Sequence, residues 1–150
     1  LSEPLVSPEE YRSVVVREMG GKPRGLLREL SNDDASYLLK ASHLLHCQPG
    51  TAIIRQGQTS RTVFLMLSGS LESRCDGHRI EPSVQLGELF GTAEFLGCDR
   101  RQFDVLAGPG GARVVALDDK TLRAILAAED SLSTRLEERM QQESLSPVAV

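Results

Sequence analysis

The chain has 150 residues, of which 40% are hydrophobic, 25% charged and 4% aromatic. This composition is typical of one soluble globular domain that is long enough to bury a core without metal or disulfide cross-links. The 21 acidic residues outnumber the 17 basic ones and give a net charge of −4. Nucleic-acid binding by this chain alone is disfavoured, because that function needs basic clusters to displace counterions from phosphates. A membrane segment is disfavoured too, since no stretch approaches the roughly 20 apolar residues that cross a bilayer.

The three cysteines, Cys47, Cys75 and Cys98, are odd in number and widely spaced, and no two of them form a C-x-x-C motif. This pattern indicates a reducing compartment, so we predict a cytoplasmic location. The first 19 residues carry several charged side chains where a secretory signal peptide would be apolar. A chain that starts at Leu1 is compatible with a piece of a longer protein, which leaves a membrane-anchored parent open.

The first 42 residues predict three helices, two of which begin with a clear helix-start signal. Residues 7–10 read Ser-Pro-Glu-Glu, which places a cap, a proline and two acids at the start of a helix that ends near residue 19. A second, short helix is predicted over residues 25–30. Residues 31–34 read Ser-Asn-Asp-Asp and cap a third helix, in which small and apolar residues recur at helical spacing up to residue 42.

From residue 43 to residue 117 the pattern changes to short apolar runs separated by glycine-containing turns, which predicts a compact antiparallel β-structure. Because every residue from Val63 to Leu67 is apolar, we expect this strand to be covered on both faces. Residues 87–97 predict a loop with one helical turn. Two more strands are predicted over residues 102–107 and 113–117, joined by a Gly-Pro-Gly-Gly loop.

The C-terminal part predicts two helices and a tail over residues 144–150. Asp118 and Asp119 cap a helix over residues 120–128, and a last helix follows Asp130. The last helix carries an apolar stripe at a spacing of four, opposite a charged face that includes Arg139; the stripe consists of Leu132, Leu136 and Met140. An amphipathic helix of this length needs a packing partner. The stripe therefore either folds back over the β-structure as a lid or contacts a second subunit, and we favour the dimer contact.

The chain lacks the motifs of common enzyme classes, namely a nucleophile elbow, a P-loop and a G-x-G-x-x-G turn after a strand. Its two pairs of adjacent aspartates stand at predicted helix starts, where acids are expected for electrostatic reasons. His43 and His46 lie three residues apart without a third ligand nearby, so no metal site is predicted. We predict that the chain is not an enzyme.

Three stretches together resemble the cyclic nucleotide-binding domain superfamily. They are Pro-Gly-x-x-Ile-Ile-x-Gln-Gly at 49–57 with the strand at 63–71, Gly-Glu-Leu-Phe-Gly at 87–91, and Val-Val-Ala-Leu-Asp at 114–118. The resemblance spans about residues 26–140. It implies an α+β, mainly β fold, an antiparallel β-roll of the jelly-roll type with flanking helices. A single domain would then comprise N-terminal helices (1–42), the β-roll (43–117) with a phosphate-binding cassette at 87–101, and C-terminal helices (118–143).

The resemblance also implies which residues would hold a nucleotide. In the family, backbone N–H groups and an arginine hold the cyclic phosphate, and a glutamate directly after Phe-Gly accepts a hydrogen bond from the ribose 2′-hydroxyl. Phe90 and Gly91 match this pattern and Arg101 stands at the arginine position, but Thr92 stands at the glutamate position. Losing one charged hydrogen bond of roughly 1.5–3 kcal/mol weakens binding by about 10- to 150-fold. No cofactor is required by this pattern, although cAMP or cGMP remain candidate ligands.

Two other alignments keep an acid near the site. In the first, Leu86-Gly87-Glu88 is the Phe-Gly-Glu element, which puts Glu88 on the ribose. We prefer the register that uses Phe90 and Gly91, because Gly-Glu-Leu-Phe-Gly matches the family better. In the second, residues 91–95, Gly-Thr-Ala-Glu-Phe, are similar to the Asp-Ser-Pro-Glu-Phe loop of the Popeye branch, which leaves Glu94 as the acid.

Simpler roles exist for the same residues. Arg101 lies between Asp99 and Asp104 and could form surface ion pairs with them. Thr92 could cap a helix in the cassette, and Glu94 could be a solvated helix residue.

Two functions follow from these interpretations. The first is a regulatory or assembly module with weakened or lost nucleotide binding, which acts by dimerisation or by docking on a neighbouring domain of a larger protein. The second is a working cAMP or cGMP sensor, in which the ligand repositions the helices of residues 118–143.

Overall fold

The computed structural model describes residues 20–80, 84–92 and 100–144, together with Ser13, Arg17, Phe95 and Gly97. Ser13 and Arg17 are helical, but the rest of the helix predicted over residues 7–19 lies outside the described residues, as do the tail beyond Ser144 and Glu94.

Local capping signals determine where the described helices begin. Ser31 caps its helix by accepting a hydrogen bond at Oγ from the backbone N–H of Asp34, at 3.1 Å. Asp118 does the same with Oδ1 for the N–H of Thr121, at 2.7 Å. Both caps confirm the predicted helix starts. The helices are α1 (Leu26–Glu29), α2 (Asn32–Ala41), α3 (Asp119–Ala127) and α4 (Ser131–Ser144). Within the described residues, no helix is long and apolar enough to cross a bilayer.

Antiparallel pairing around two long strands builds the predicted β-roll. The sheet has the order β1-β6-β3-β4, with β2 also paired to β6 and β5 also paired to β3. All pairs are antiparallel, which confirms the expected architecture. The strands are β1 (His43–Cys47), β2 (Ala52–Ile54), β3 (Val63–Cys75), β4 (His78–Ile80), β5 (Leu89–Phe90) and β6 (Asp104–Leu117).

One strand prediction was wrong, because β6 runs continuously through the Gly-Pro-Gly-Gly sequence that was expected to separate two strands. Gly69 of β3 is opposite Ala112, and Leu71 is opposite Ala107, so residues 108–111 form an irregularity within the β3–β6 pair. A Cβ at Gly69 would lie 2.2 Å from the carbonyl oxygen of Gly111. These glycines therefore allow two backbones to approach closely inside a bulged ladder instead of ending it.

The core consists of two clusters on opposite faces of β3. Val63, Leu65 and Leu67 belong to the helix-side cluster, which they share with the buried faces of the four helices. Phe64 and Met66 belong to the roll-interior cluster. The strand is covered on both faces, as its unbroken apolar run predicted.

The apolar stripe of α4 lies in the helix-side cluster. Leu132, Leu136 and Met140 are each 0–1% exposed, in contact with the chain's own core. This placement fits the interpretation of the helix as a lid, and the dimer contact that we favoured stays a prediction. A second copy could reach the stripe only if α4 left the core.

The cap at Asp118 provides a test of local stability. Hydrogen bonding from the Thr121 backbone N–H holds the pKa of Asp118 below its ordinary value. Asp118→Ala should lower the free energy of unfolding by about 1 kcal/mol, because an orphan N–H of α3 loses its acceptor. Asp118→Asn retains an acceptor oxygen and should cost only a few tenths of that amount. Urea denaturation measures both, and equal costs would show that the cap bond is not the stabilising contact.

Candidate functional site

The cassette predicted from the sequence begins at Gly87, two residues before β5. Leu89 and Phe90 pair with Leu65 and Phe64 of β3, so a short strand stands where a loop with a helical turn was predicted. The Phe90 and Phe64 rings stack with centroids 5.2 Å apart. Phe90 is thus buried in the roll-interior cluster and anchors the start of the cassette to the core.

Gly91 makes close packing possible between the cassette and the Arg101 side chain. Its φ is +78°, a conformation that side chains other than glycine's rarely adopt. A Cβ there would lie 2.7 Å from Nη1 of Arg101 and 3.0 Å from Cδ1 of Ile54. The absence of a Cβ at Gly91 therefore allows the guanidinium to pack directly against the backbone.

Arg101 is buried and donates hydrogen bonds to main-chain oxygens. Its Nη1 donates to the Gly91 carbonyl at 2.8 Å and its Nη2 to the Thr62 carbonyl at 2.5 Å, with a longer bond to Ser60 Oγ at 3.4 Å. The residue is 3% exposed. The guanidinium thus joins the cassette to the connection between β2 and β3.

The backbone of Arg101 reinforces this connection. Its N–H donates to the carbonyl of Gln58 at 2.7 Å, and its carbonyl accepts from the N–H of Gly57 at 2.8 Å. The alternative that Arg101 lies at the surface was wrong, because its side chain is buried. Asp104 instead accepts a hydrogen bond from the backbone N–H of Gln56 at 2.7 Å, and Asp99 lies outside the described residues.

Thr92, at the position of the family's glutamate, is fully buried. The structure thus brings together Phe90, Gly91, Thr92 and Arg101 at the start and the end of the cassette. Residues 93 and 94 lie outside the described part, so the predicted capping by Thr92 and the role of Glu94 stay predictions.

The carboxylate of Glu88, the acid of the alternative register, is bound by another residue. Its Oε2 accepts a hydrogen bond from Nη1 of Arg139, in α4, at 3.1 Å. Arg139 also forms an ion pair with Glu29 of α1. The hydrogen bond between Arg139 and Glu29 raises the pKa of the Arg139 guanidinium and lowers the pKa of the Glu29 carboxyl.

Arg139 is the residue that the sequence interpretation missed, because it was assigned to the solvated face of the last helix. Its side chain is only 18% exposed. A signal for this was its position three residues after Leu136 and directly before Met140, at the border of the apolar stripe, where a long side chain reaches across to neighbouring elements.

The middle of the cassette contacts the C-terminal helices through Phe95. This ring packs against the helix-side cluster, and the guanidinium carbon of Arg123 in α3 lies 4.8 Å from its centroid. Phe103 is half-buried. Helix α3 therefore contacts the middle of the cassette through Arg123, and α4 contacts the start of the cassette through Arg139.

Metal-binding side chains do not cluster in the described ranges: no three histidines, cysteines or carboxylates there lie close enough to hold a metal ion. His43 and His46 lie exposed along β1. Burial raises the pKa of the Cys47 thiol, which disfavours the thiolate that metal binding requires.

Gly91 and Arg101 thus lie in contact in the loop before the last strand of a helix-flanked antiparallel β-roll. The family model of the cyclic nucleotide-binding domain matches residues 44–129, which is more than half of the chain. The chain belongs to the cyclic nucleotide-binding domain family.

Individual relatives are distant in sequence. Mouse cGMP-dependent protein kinase 2 is 24% identical over 134 residues; the match covers 86% of this chain but only 17% of the kinase. The solved structure of a protein from Geobacter metallireducens GS-15, described as cyclic nucleotide-binding, has a TM-score of 0.67 and 19% identity, with 93% of this chain and 96% of that chain covered. The structure of cAMP-bound PfPKA-R has a TM-score of 0.63 and 18% identity, with 90% and 45% covered. At these identities the structural likeness shows the fold.

Proposed function

We propose that this domain is a non-catalytic regulatory module in which cyclic nucleotide binding is weakened or lost. The observation that carries the proposal is the state of Arg101: the guanidinium is buried, and two of its N–H donors are bonded to the carbonyls of Gly91 and Thr62. A cyclic phosphate that used this arginine would have to reach a buried guanidinium and compete with those acceptors for its N–H donors.

Two features of the site oppose nucleotide binding, namely the carbonyls already bonded to Arg101 and the threonine at the position of the family's glutamate. A hydrogen bond from a charged donor contributes about 1.5–3 kcal/mol, and a buried carbonyl that loses its donor costs a further 1–3 kcal/mol or so. The ribose then finds Thr92 where relatives provide a carboxylate, and a neutral hydroxyl forms a weaker bond than an ionised group. Both effects act against affinity at the same site.

We further propose that the module acts by docking its helical side on a neighbouring domain or on a second copy of itself. The relatives support a role within a larger protein, since the chain spans about a sixth of cGMP-dependent protein kinase 2. Because the apolar stripe of α4 is buried, such a contact would use the outer surfaces of the helices.

A working cAMP or cGMP sensor is the second candidate. The observation that favours it is the retained framework: Gly91 keeps the left-handed conformation, and Arg101 lies against it. In this case the ligand would take over the Arg101 bonds, and the contacts of Phe95 and Arg139 would transmit the change to α3 and α4.

Calorimetric titration with cAMP and with cGMP separates the two candidates. We expect no response that saturates at micromolar nucleotide, and silence at millimolar nucleotide would exclude the sensor. A response that saturates at micromolar nucleotide would overturn the proposal. Arg101→Gln should then abolish that response, whereas Arg100→Gln should retain it, because the adjacent Arg100 is exposed and donates only to the carbonyl of Gly57 among the bonds described.

A further inference from the structure

The guanidinium of Arg139 connects three elements that are distant in sequence. Its Nη1 donates to Glu88 at the start of the cassette, 51 residues away, at 3.1 Å. Its Nε donates to Glu29 of α1, 110 residues away, at 3.3 Å, and Nη2 binds the other oxygen of the same carboxylate. We call this set, Arg139 with Glu29 and Glu88, the Arg139 clamp.

The two carboxylates belong to a backbone region that is itself tightly joined. The N–H of Leu26 donates to the carbonyl of Gly87 at 2.8 Å, and the N–H of Gly87 donates to the carbonyl of Met66 at 2.8 Å. The N–H of Met66 in turn donates to the carbonyl of Glu88 at 3.1 Å. Helix α1, the start of the cassette and β3 therefore form one hydrogen-bonded unit, to which α4 adds its apolar stripe and Arg139.

The clamp differs from the other ion pairs of the C-terminal helices. Arg135 pairs with Glu138 and Arg123 pairs with Asp119, each within one helix and each with both side chains largely exposed. Exposed pairs of this kind contribute little to stability. Arg139 is mostly buried, donates from the Nε–Nη2 edge of its guanidinium to both oxygens of Glu29, and donates from Nη1 to Glu88, a geometry in which charged hydrogen bonds are stronger.

We infer that Arg139 is a positioning residue that couples the C-terminal half of α4 to the start of the cassette at residues 87–90. Release of the clamp would free the last turns of α4 and would loosen the cassette start at the same time. The consequence of a movement of α4 rests on the proposed regulatory function. The coupling itself does not, because it needs no nucleotide.

Hydrogen–deuterium exchange of the nucleotide-free domain tests this coupling, with Arg139→Gln as the variant and Arg135→Gln as the matched control on the same helix. We expect Arg139→Gln to accelerate exchange by about three- to tenfold, both in residues 137–144 and in residues 87–90, as the loss of a bidentate charged pair implies. Arg135→Gln should leave both segments within error of the wild type. Equal exchange in the two variants would overturn the inference.

A reciprocal variant separates coupling from simple packing. Glu88→Gln should accelerate exchange in residues 137–144, although the substituted residue lies on another element, and Arg139→Lys should recover part of the protection that Arg139→Gln loses. If Glu88→Gln loosened only its own segment, Arg139 would be a local packing residue and the inference would fail. Nucleotide binding by the wild type would overturn the proposed function and leave this result unaffected, so the two failures are distinguishable.

Discussion

Gly87→Ala is expected to lower the free energy of unfolding by about 3 kcal/mol, because the new Cβ faces two separate costs. The φ of Gly87 is +81°, where a side chain strains the backbone by about 1 kcal/mol or more. The Cβ would also lie 1.9 Å from the carbonyl oxygen of Arg24 and 2.9 Å from the backbone nitrogen of Gly25. These neighbours are backbone atoms, so the hydrogen-bonded contact of α1 with the cassette start would have to open.

Gly77→Ala is the matched control for the close approach. Gly77 has a φ of +82°, but no atom lies within 4 Å of the Cβ position. This variant should therefore show the conformational cost alone, about 1 kcal/mol. Urea denaturation followed by circular dichroism gives both values. Equal costs for the two variants would contradict the packing of residues 24–26 against Gly87.

Leu136→Ala is expected to cost about 2–5 kcal/mol of stability, as truncation of a fully buried leucine usually does, because it removes three side-chain carbon atoms from the helix-side cluster and leaves a cavity. Glu137→Ala, at the exposed neighbouring position, should change stability by no more than about 0.5 kcal/mol. The comparison measures the packing of α4 on the rest of the chain.

The same variant distinguishes the lid from a dimer contact. Leu136 is in contact with the chain's own core, so the loss should be independent of protein concentration over a hundredfold range of about 1–100 μM. A loss that grew with protein concentration, accompanied by dissociation in sedimentation, would show that the stripe faces a second copy. That result would contradict the placement of α4.

The features that the sequence predicted well are local ones. Ser31 and Asp118 cap helices with bonds to residues three positions ahead, and such signals are visible in a single stretch of chain. The buried strand Val63–Leu67 was evident from its unbroken apolar run. The resemblance then supplied the order of these elements in the β-roll, which no local pattern specifies.

The features that the sequence did not predict depend on distant partners. The continuity of β6 through residues 108–111 requires the facing glycine of β3, 42 residues before Gly111. The burial of Arg101 depends on an acceptor 39 residues away, at Thr62, while its immediate neighbours Asp99 and Asp104 suggested the surface. Arg139 finds its carboxylates on two other elements. A local sequence pattern cannot distinguish a charged residue that has a distant partner from one that is exposed to solvent.

A crystal structure of the domain grown with millimolar cAMP tests the central claim most directly, because it shows the acceptors of the Arg101 side chain. We predict that Nη1 and Nη2 keep their bonds to the carbonyls of Gly91 and Thr62, and that no nucleotide lies beside Thr92. A cyclic phosphate bonded to Arg101, with those two carbonyls released, would contradict the account.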